Sequence, residues 1–167
     1  VALVAEDGTG RSNAESFITL ADATTRHSDL GNSAWADAAT DTLREQALRR
    51  ATAYMEQAYR TRWLGCRVSD TQALSWPRVI LDPVDGWYID NDIVPAEVAN
   101  ACADLALRAL SDDLNADLTR AVVREKVGPL ETEYDRGSPQ STQFRAVNMA
   151  LAPYLKGSSA SAMLVRA

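Results

Sequence analysis

Histidine is almost missing from these 167 residues, cysteine is scarce, and no apolar run approaches the length of a membrane span. The single histidine, His27, has no second imidazole or nearby thiol, so the sequence supports neither a Ser-His-Asp triad nor a zinc site. It is expected as a surface or core histidine. Cys66 and Cys102 lie in no C-x-x-C arrangement, which excludes a disulfide framework and fits a reducing compartment. Cys102 falls among apolar neighbours and is expected as a small buried hydrophobe. A basic excess is lacking too. The net charge of −6 argues against bulk attraction to DNA or to an anionic membrane. The first residues do not resemble a signal peptide, and the expectation is a soluble intracellular protein with no membrane contact.

Signatures of catalysis are equally thin. Asp7-Gly8-Thr9-Gly10 has neither the Asp-Thr/Ser-Gly order of an aspartic protease nor the lysine of a phosphate loop, so it reads as a turn. Asp82, Asp85, Asp90 and Asp92 lack the ligand spacing of a calcium loop and read as solvated turn formers. Glu131 and Glu133 share a strand face, yet basic residues opposite make them structural. The expectation is no enzyme, no metal and no cofactor.

What is present is helix. From Val94 to Leu110 the polar residues Glu97, Asn100, Asp104 and Arg108 recur three or four apart and form one narrow stripe. Val98, Ala99, Ala101, Cys102, Ala103, Leu105, Ala106, Leu107, Ala109 and Leu110 cover the remaining sides. A helix apolar on three sides must be covered on three sides, and its small residues let neighbours come close. Pro95 is placed as the first helical residue, where its missing N–H costs nothing, and the helix is expected to end near Asp112 or Asp113.

The flanking chain follows the same logic. Val1–Ala5 reads as a strand or extended arm. Thr19 is placed as the cap of a helix reaching Leu30 and closed by Gly31, and a short turn surrounds Trp35. A longer helix runs from Thr40 or Asp41 to Tyr59. Leu43, Ala47, Ala51, Tyr54, Met55 and Ala58 lie on its inner face, and Glu45–Arg49 and Glu56–Arg60 are i,i+4 pairs outside. The connection from Cys66 to Ile93 carries Trp76, Trp87 and Tyr88 and is expected to pack onto the helices.

Beyond Asp113 the period becomes alternating. Val122–Val127 and Leu130–Asp135 flank Gly128-Pro129, a hairpin pattern. With Val127 opposite Leu130, Lys126 faces Glu131, Arg124 faces Glu133, Glu125 meets Thr132 and Val123 meets Tyr134. A last helix spans about Gln143 to Leu155, with Phe144, Val147, Leu151 and Leu155 on one face and Pro153 to kink or end it. The expected fold is mainly α: a compact helical bundle around the central Ala-rich helix, with one β-hairpin at about 122–135 and extended N- and C-terminal arms. Residues 1–156 form a single domain. Residues 157–167 form a flexible arm with an apolar end, Met163-Leu164-Val165.

One segment favours nucleic acid. Between Thr40 and Arg78 lie seven arginines (Arg44, Arg49, Arg50, Arg60, Arg62, Arg67 and Arg78) against four acidic residues. Tyr59, Trp63 and Trp76 are interleaved with them, as a surface that stacks single-stranded bases requires. The overall acidity favours the competing reading, which puts these aromatics in the core and pairs the arginines with acids of this chain or a neighbour.

A resemblance goes further. Gln72-Ala73-Leu74-Ser75-Trp76-Pro77-Arg78 is followed by Val94-Pro95-Ala96-Glu97-Val98 leading into an alanine-rich helix. With Val4–Gly10 and Ser16-Phe17, Arg50-Ala51-Thr52-Ala53-Tyr54, and Arg124-Glu125-Lys126-Val127-Gly128-Pro129-Leu130, this pattern resembles the tailed-phage head–tail connector (adaptor) proteins. More narrowly it is similar to the subgroup labelled DnaT-like single-stranded-DNA-binding proteins. Cys66 and the residues beyond Lys156 match no part of it. The resemblance implies a structural virion protein, present in the host cytoplasm during assembly. It would form a homo-oligomeric ring, typically of about twelve copies, beneath the portal protein. Such a ring extends the channel through which DNA passes and offers a platform to the tail or stopper protein. On this reading Trp76, Arg78, Arg124, Lys126, Glu131 and Glu133 are candidate subunit or tail contacts. The arm with Gly157, Met163, Leu164, Val165 and Arg166 is the candidate portal-docking element. The alternative is a single-stranded-DNA-binding accessory protein.

Overall fold

Two threonines start the first long helices, each by the same device. Thr19 Oγ1 accepts the Asp22 N–H at 3.1 Å and opens α1 (Leu20–Asp29). Thr40 Oγ1 accepts the Leu43 N–H at 3.3 Å and opens α3 (Asp41–Tyr59). Each satisfies one of the amide donors that a helix N-terminus leaves without a partner. Between them sits α2 (Ser33–Ala36) around the buried Trp35. The computed structural model describes residues 2–84, 86–116, 142 and 144–157, together with the backbone of 122–126 and 131–134.

The central helix, α4 (Ala96–Ala109), begins one residue later than expected. Pro95 is its N-cap, with ψ at 143°, and not its first helical residue. The helix also stops at Leu110, short of Asp112. The stripe is as read: Val98, Ala101, Cys102, Ala103, Leu105, Ala106 and Ala109 are buried, while Glu97 and Arg108 are exposed. Along the stripe, Asp104 accepts from Arg26 Nε and Nη2 at 3.0 and 2.9 Å, and Glu97 accepts the Tyr154 hydroxyl at 2.7 Å. The small residues let α4 pack against α3, α1 and α5 (Arg145–Leu151). α5 is shorter than the expected helix because Pro153 offers no N–H to continue it, and the chain tightens into a 3-10 turn at Ala152–Tyr154. Phe144, Val147, Leu151 and Leu155 are all buried, as their spacing predicts.

Two short antiparallel pairs complete the fold. β1 (Cys66–Arg67) pairs with β2 (Arg78–Val79), which the sequence did not announce. Gly65 makes that closeness possible: its φ is +64°, and a Cβ there would lie 2.0 Å from the Val79 carbonyl oxygen. β3 (Val122–Lys126) pairs with β4 (Glu131–Tyr134). Lys126 faces Glu131, Glu125 faces Thr132 and Arg124 faces Glu133, as predicted. A bulge then puts Val122, and not Val123, opposite Tyr134. The Gly128-Pro129 loop and the residues from 158 onward lie outside the described residues.

The N-terminal segment is tied down. Ala5 bridges Ser16, and the buried Glu6 carboxylate collects the amides of Gly8, Gly10 and Arg11 at 2.9 to 3.0 Å. On α3, Ala47, Ala51 and Met55 face the core as expected, joined by Leu48, Thr52 and Tyr59. Leu43 does not, because its neighbour Arg44 occupies the inward side and donates to the carbonyls of Trp35, Ala36 and Ala38. Nor does Glu56 pair with Arg60. It turns to the Ser75 amide and hydroxyl at 2.7 and 2.8 Å, fastening the Trp76 segment to α3.

Candidate nucleic-acid interface

The seven arginines between Thr40 and Arg78 divide by what they touch. Arg44 caps the end of α2, and Arg49 bonds the Glu15 carboxylate at 2.9 Å with Glu45 beside it at 3.5 Å. Arg67 donates to the Gln72 carbonyl at 3.0 Å. Arg78 is buried and donates to three carbonyls, those of Leu64, Gly65 and Ser75, at 2.6 to 3.0 Å. Arg44 and Arg49 hold preceding segments to α3, while Arg67 and Arg78 tie the chain around β1 and β2 to itself. Charge read from sequence as a surface is here used on backbone carbonyls and, at Arg49, on carboxylates.

Arg50, Arg60 and Arg62 remain exposed and form no ion pair among the described residues. They do not form one patch. Arg60 follows the last turn of α3, about 15 Å along the axis from Arg50 at 1.5 Å per residue. Arg50 lines a cleft with Ala53, Leu110, Asp112 and Asp113, where acids dilute its charge. At the other end Lys156 joins the remaining two. Its amide bonds the Arg62 carbonyl at 2.7 Å, and Leu64 and Tyr154 bond beside it at 2.9 Å. Arg60, Arg62 and the exposed Lys156 therefore share one end of the molecule, with Arg62 lying 5.8 Å over the Tyr59 ring.

The interleaved aromatics do not join that end; they are core, as the reading favoured from sequence has them. Tyr59, Trp63 and Trp76 form a buried chain with Tyr154, ring centroids 5.6 to 5.7 Å apart. The Trp76–Pro77 peptide bond is cis. Among the described residues the exposed aromatics are Trp87 and Tyr88, at 79% and 75%, with Leu81 at 81%. That corrects the expectation that the whole 66–93 connection packs down. The signal lay in the flanking acids, Asp82, Asp90 and Asp92, which keep this stretch in water.

The sequence model of the family described as "Putative DnaT-like ssDNA binding protein" matches residues 1–167. The chain belongs to this family. Comparison with curated proteins gives no match, and neither does comparison with solved structures. For this DnaT-like chain, the residues singled out from sequence fall in different places. Trp76 and Arg78 are buried in its own core, the Arg78 donors on carbonyls and Trp76 among neighbouring rings. Arg124, Lys126, Glu131 and Glu133 occupy paired positions of β3 and β4. Gly157 is exposed, and Met163, Leu164, Val165 and Arg166 lie outside the described residues. Among the described residues no group of three His, Cys, Asp or Glu side chains could hold a metal ion, and no helix is long and apolar enough to cross a membrane.

His27 is a core residue. Its Nε2–H donates to the Ala103 carbonyl at 3.0 Å, its Nδ1 accepts from the Asn32 amide at 3.1 Å, and its ring lies 4.6 Å from that of Trp35. Burial holds its pKa below the ordinary value, outweighing the Ala103 carbonyl and the nearby Asp104, which act the other way. The unfolded chain protonates near pH 6.5, so this group contributes stability above that pH and loses it as the pH falls toward the folded value. The melting temperature is therefore expected to fall between pH 7.5 and 5.5, and His27→Gln is expected to flatten that slope. Equal slopes would remove His27 as its source. Cys102 is likewise inward, its sulfur 3.3 Å from the Thr52 hydroxyl, and burial pushes its thiol pKa up.

Proposed function

We propose that the chain binds single-stranded DNA through the phosphate backbone at Arg60, Arg62 and Lys156, without stacking bases. The observation that supports this reading is the convergence of three exposed cations at one end of a chain whose net charge is −6. The family description points the same way. With the interleaved aromatics committed to the core, affinity rests on counterion release, and three phosphate contacts on a single strand give a log-log salt slope of about −2. Such binding is sequence-tolerant and weak at physiological salt. No catalytic step, metal or cofactor enters this function.

Gel-shift titrations of a labelled oligonucleotide across a salt series test it. Wild type is expected to bind at low salt with that slope, and the Arg60→Ala/Arg62→Ala/Lys156→Ala variant to lose at least about tenfold. Arg50→Ala, on the separate cleft, is expected to change little. Undiminished binding by the triple variant would overturn the assignment.

A second reading is a head–tail adaptor, a ring subunit between the portal protein and the tail or stopper, with DNA passing through without being held. The observation that favours it is the exposed Leu81, Trp87 and Tyr88 among the acids Asp82, Asp90 and Asp92, apolar area whose charged surroundings suit a protein partner better than phosphate. Mixing the chain with the portal ring of its own genome discriminates the two. On this reading a collar of about one copy per portal subunit is expected in particle mass and electron-microscopic averages, dependent on residues 158–167, and its absence would reject the reading.

A further inference from the structure

Three of the four polar side chains in the α4 stripe have partners. Glu97 accepts the Tyr154 hydroxyl, Asp104 accepts from Arg26, and Arg108 lies 5.7 Å over the Phe144 ring. Asn100 is half-buried, yet its carboxamide makes no hydrogen bond among the described residues. Its setting is a gap in a ladder. Arg26 and Asp104 join α1 to α4 by two hydrogen bonds, and the positions one helical turn earlier on each helix are Asp22 and Asn100. No cation joins that earlier pair. Asp22 Oδ2 accepts the Thr19 hydroxyl at 2.7 Å, which leaves Asp22 Oδ1 and the Asn100 carboxamide without partners among the described residues.

A groove opens at the missing rung. Asp22 and Asn100 both line two adjoining cavities, of 410 and 330 Å³. The larger is walled on its apolar side by Phe17, Ile18, Ile93, Val94 and Ala96, and the smaller ends at the exposed Leu30. From Thr19 to Leu30 the groove follows α1 for about 17 Å. Asp7 lines one end and Asp29 the other, and Asp29 forms no ion pair among the described residues. Arg26, the one cation lining either cavity, is already held by Asp104. Apolar walls with a negative rim repel phosphate and suit a protein segment that carries arginine between apolar side chains. In an extended segment every second side chain points to the same face, so the pattern apolar-x-Arg-x-apolar spans about 13 Å and fits the groove. A guanidinium also spreads its donors in a planar fork, as Arg26 does on Asp104, and can serve acceptors on two helices at once.

We propose that the groove between α1 and α4 binds an extended segment of a partner protein with the pattern apolar-x-Arg-x-apolar. The arginine completes the rung at Asp22 and Asn100, and one apolar side chain enters each cavity. None of Arg60, Arg62 and Lys156 lines the groove, so the assignment does not rest on DNA binding.

The probe is the end-capped peptide Gly-Leu-Ser-Arg-Ser-Leu-Gly, titrated into the isotope-labelled full chain without DNA and followed by NMR. It is expected to move the Asn100 carboxamide resonances and the Thr25 and Ala99 amides, saturating below about 1 mM. Peptides with glutamate for arginine, or with serine for both leucines, are expected to bind at least about tenfold more weakly, and the lysine peptide to fall between. On the protein side, Asn100→Ala is expected to weaken binding about tenfold, whereas Asn100→Asp adds a carboxylate to the rung and tightens it. A purely structural role for Asn100 would not move affinity in both directions, and unchanged helical circular dichroism checks that each variant is folded. Asp90→Asn, which removes an acid outside the groove, is expected to leave binding as it is. No saturable shift by about 1 mM, equal binding of the serine or glutamate peptide, or equal affinities of Asn100→Ala and Asn100→Asp would overturn the proposal. So would a loss in Asp90→Asn as large as that in Asn100→Ala, which would reduce the binding to bulk charge. Movement of the same resonances on concentrating the chain alone would assign the groove to a second copy instead, and movement on adding an oligonucleotide would assign it to DNA.

Discussion

Trp76→Ala is expected to cost about 3–5 kcal/mol, a large share of the roughly 5–15 kcal/mol that stabilises a domain of ordinary size. Trp76 is fully buried and stands edge-on to Trp63 at 5.6 Å and to Tyr154 at 5.7 Å. It therefore joins the end of α3 to the turn after α5, and deleting it opens a cavity between elements far apart in sequence. Trp76→Phe separates ring packing from the rest. The indole N–H of Trp76 has no hydrogen-bond partner among the described residues. Phenylalanine keeps an aromatic face while removing that buried donor, so its cost is expected to stay below about 1.5 kcal/mol. Urea midpoints for both variants, with the slopes checked for equality, give the comparison. Equal losses would mean that a smaller ring recovers nothing and that the site requires the whole indole.

The second large effect belongs to Arg78. Three carbonyl oxygens, from Leu64, Gly65 and Ser75, converge on one guanidinium at 2.6 to 3.0 Å. Arg78→Met preserves much of the apolar stem but strands those acceptors, and a loss of about 3 kcal/mol or more is expected. Arg78→Lys should recover only a fraction, because one ammonium cannot spread its donors across three carbonyls as a planar fork does. Amide hydrogen exchange localises the damage. Protection is expected to drop first around Leu64 and Val79, at the β1–β2 pair, and only later along α4. A lysine variant as stable as wild type would show that charge, and not fork geometry, is what the site requires.

Arg78 also marks where reading from sequence stops. The polar stripe of α4 was legible because four polar residues among small and apolar ones leave a helix one arrangement. The Thr19 cap was legible because capping is local, needing an oxygen two or three residues before an amide; the same device at Thr40 was narrowed only to Thr40 or Asp41. Three of the four β3–β4 pairs followed from setting Val127 opposite Leu130, and two of those three join opposite charges. The inward arginines were not legible. Burying an arginine needs acceptors, and those of Arg78 come from three residues assembled only when the chain reverses between β1 and β2. The interleaving of arginine with Tyr59, Trp63 and Trp76 looked like a stacking surface for the same reason: alternation in sequence does not say which partner points inward. The site then shrank from seven arginines to two, and Lys156 was added by a backbone contact between residues 94 positions apart.

The burial pattern of the tryptophans has an optical consequence. Trp35, Trp63 and Trp76 are at most 1% exposed, whereas Trp87 stands in water at the tip of its turn. Three indoles should emit at the short wavelengths of an apolar setting and one at the long wavelengths of solvent. Iodide should quench the red edge alone. Any surface that covers the 81–92 loop would shift that edge to the blue and shield it from the quencher, leaving the other three unchanged. The chain thus carries its own label at the place where a partner would first be felt, with three internal standards to read it against.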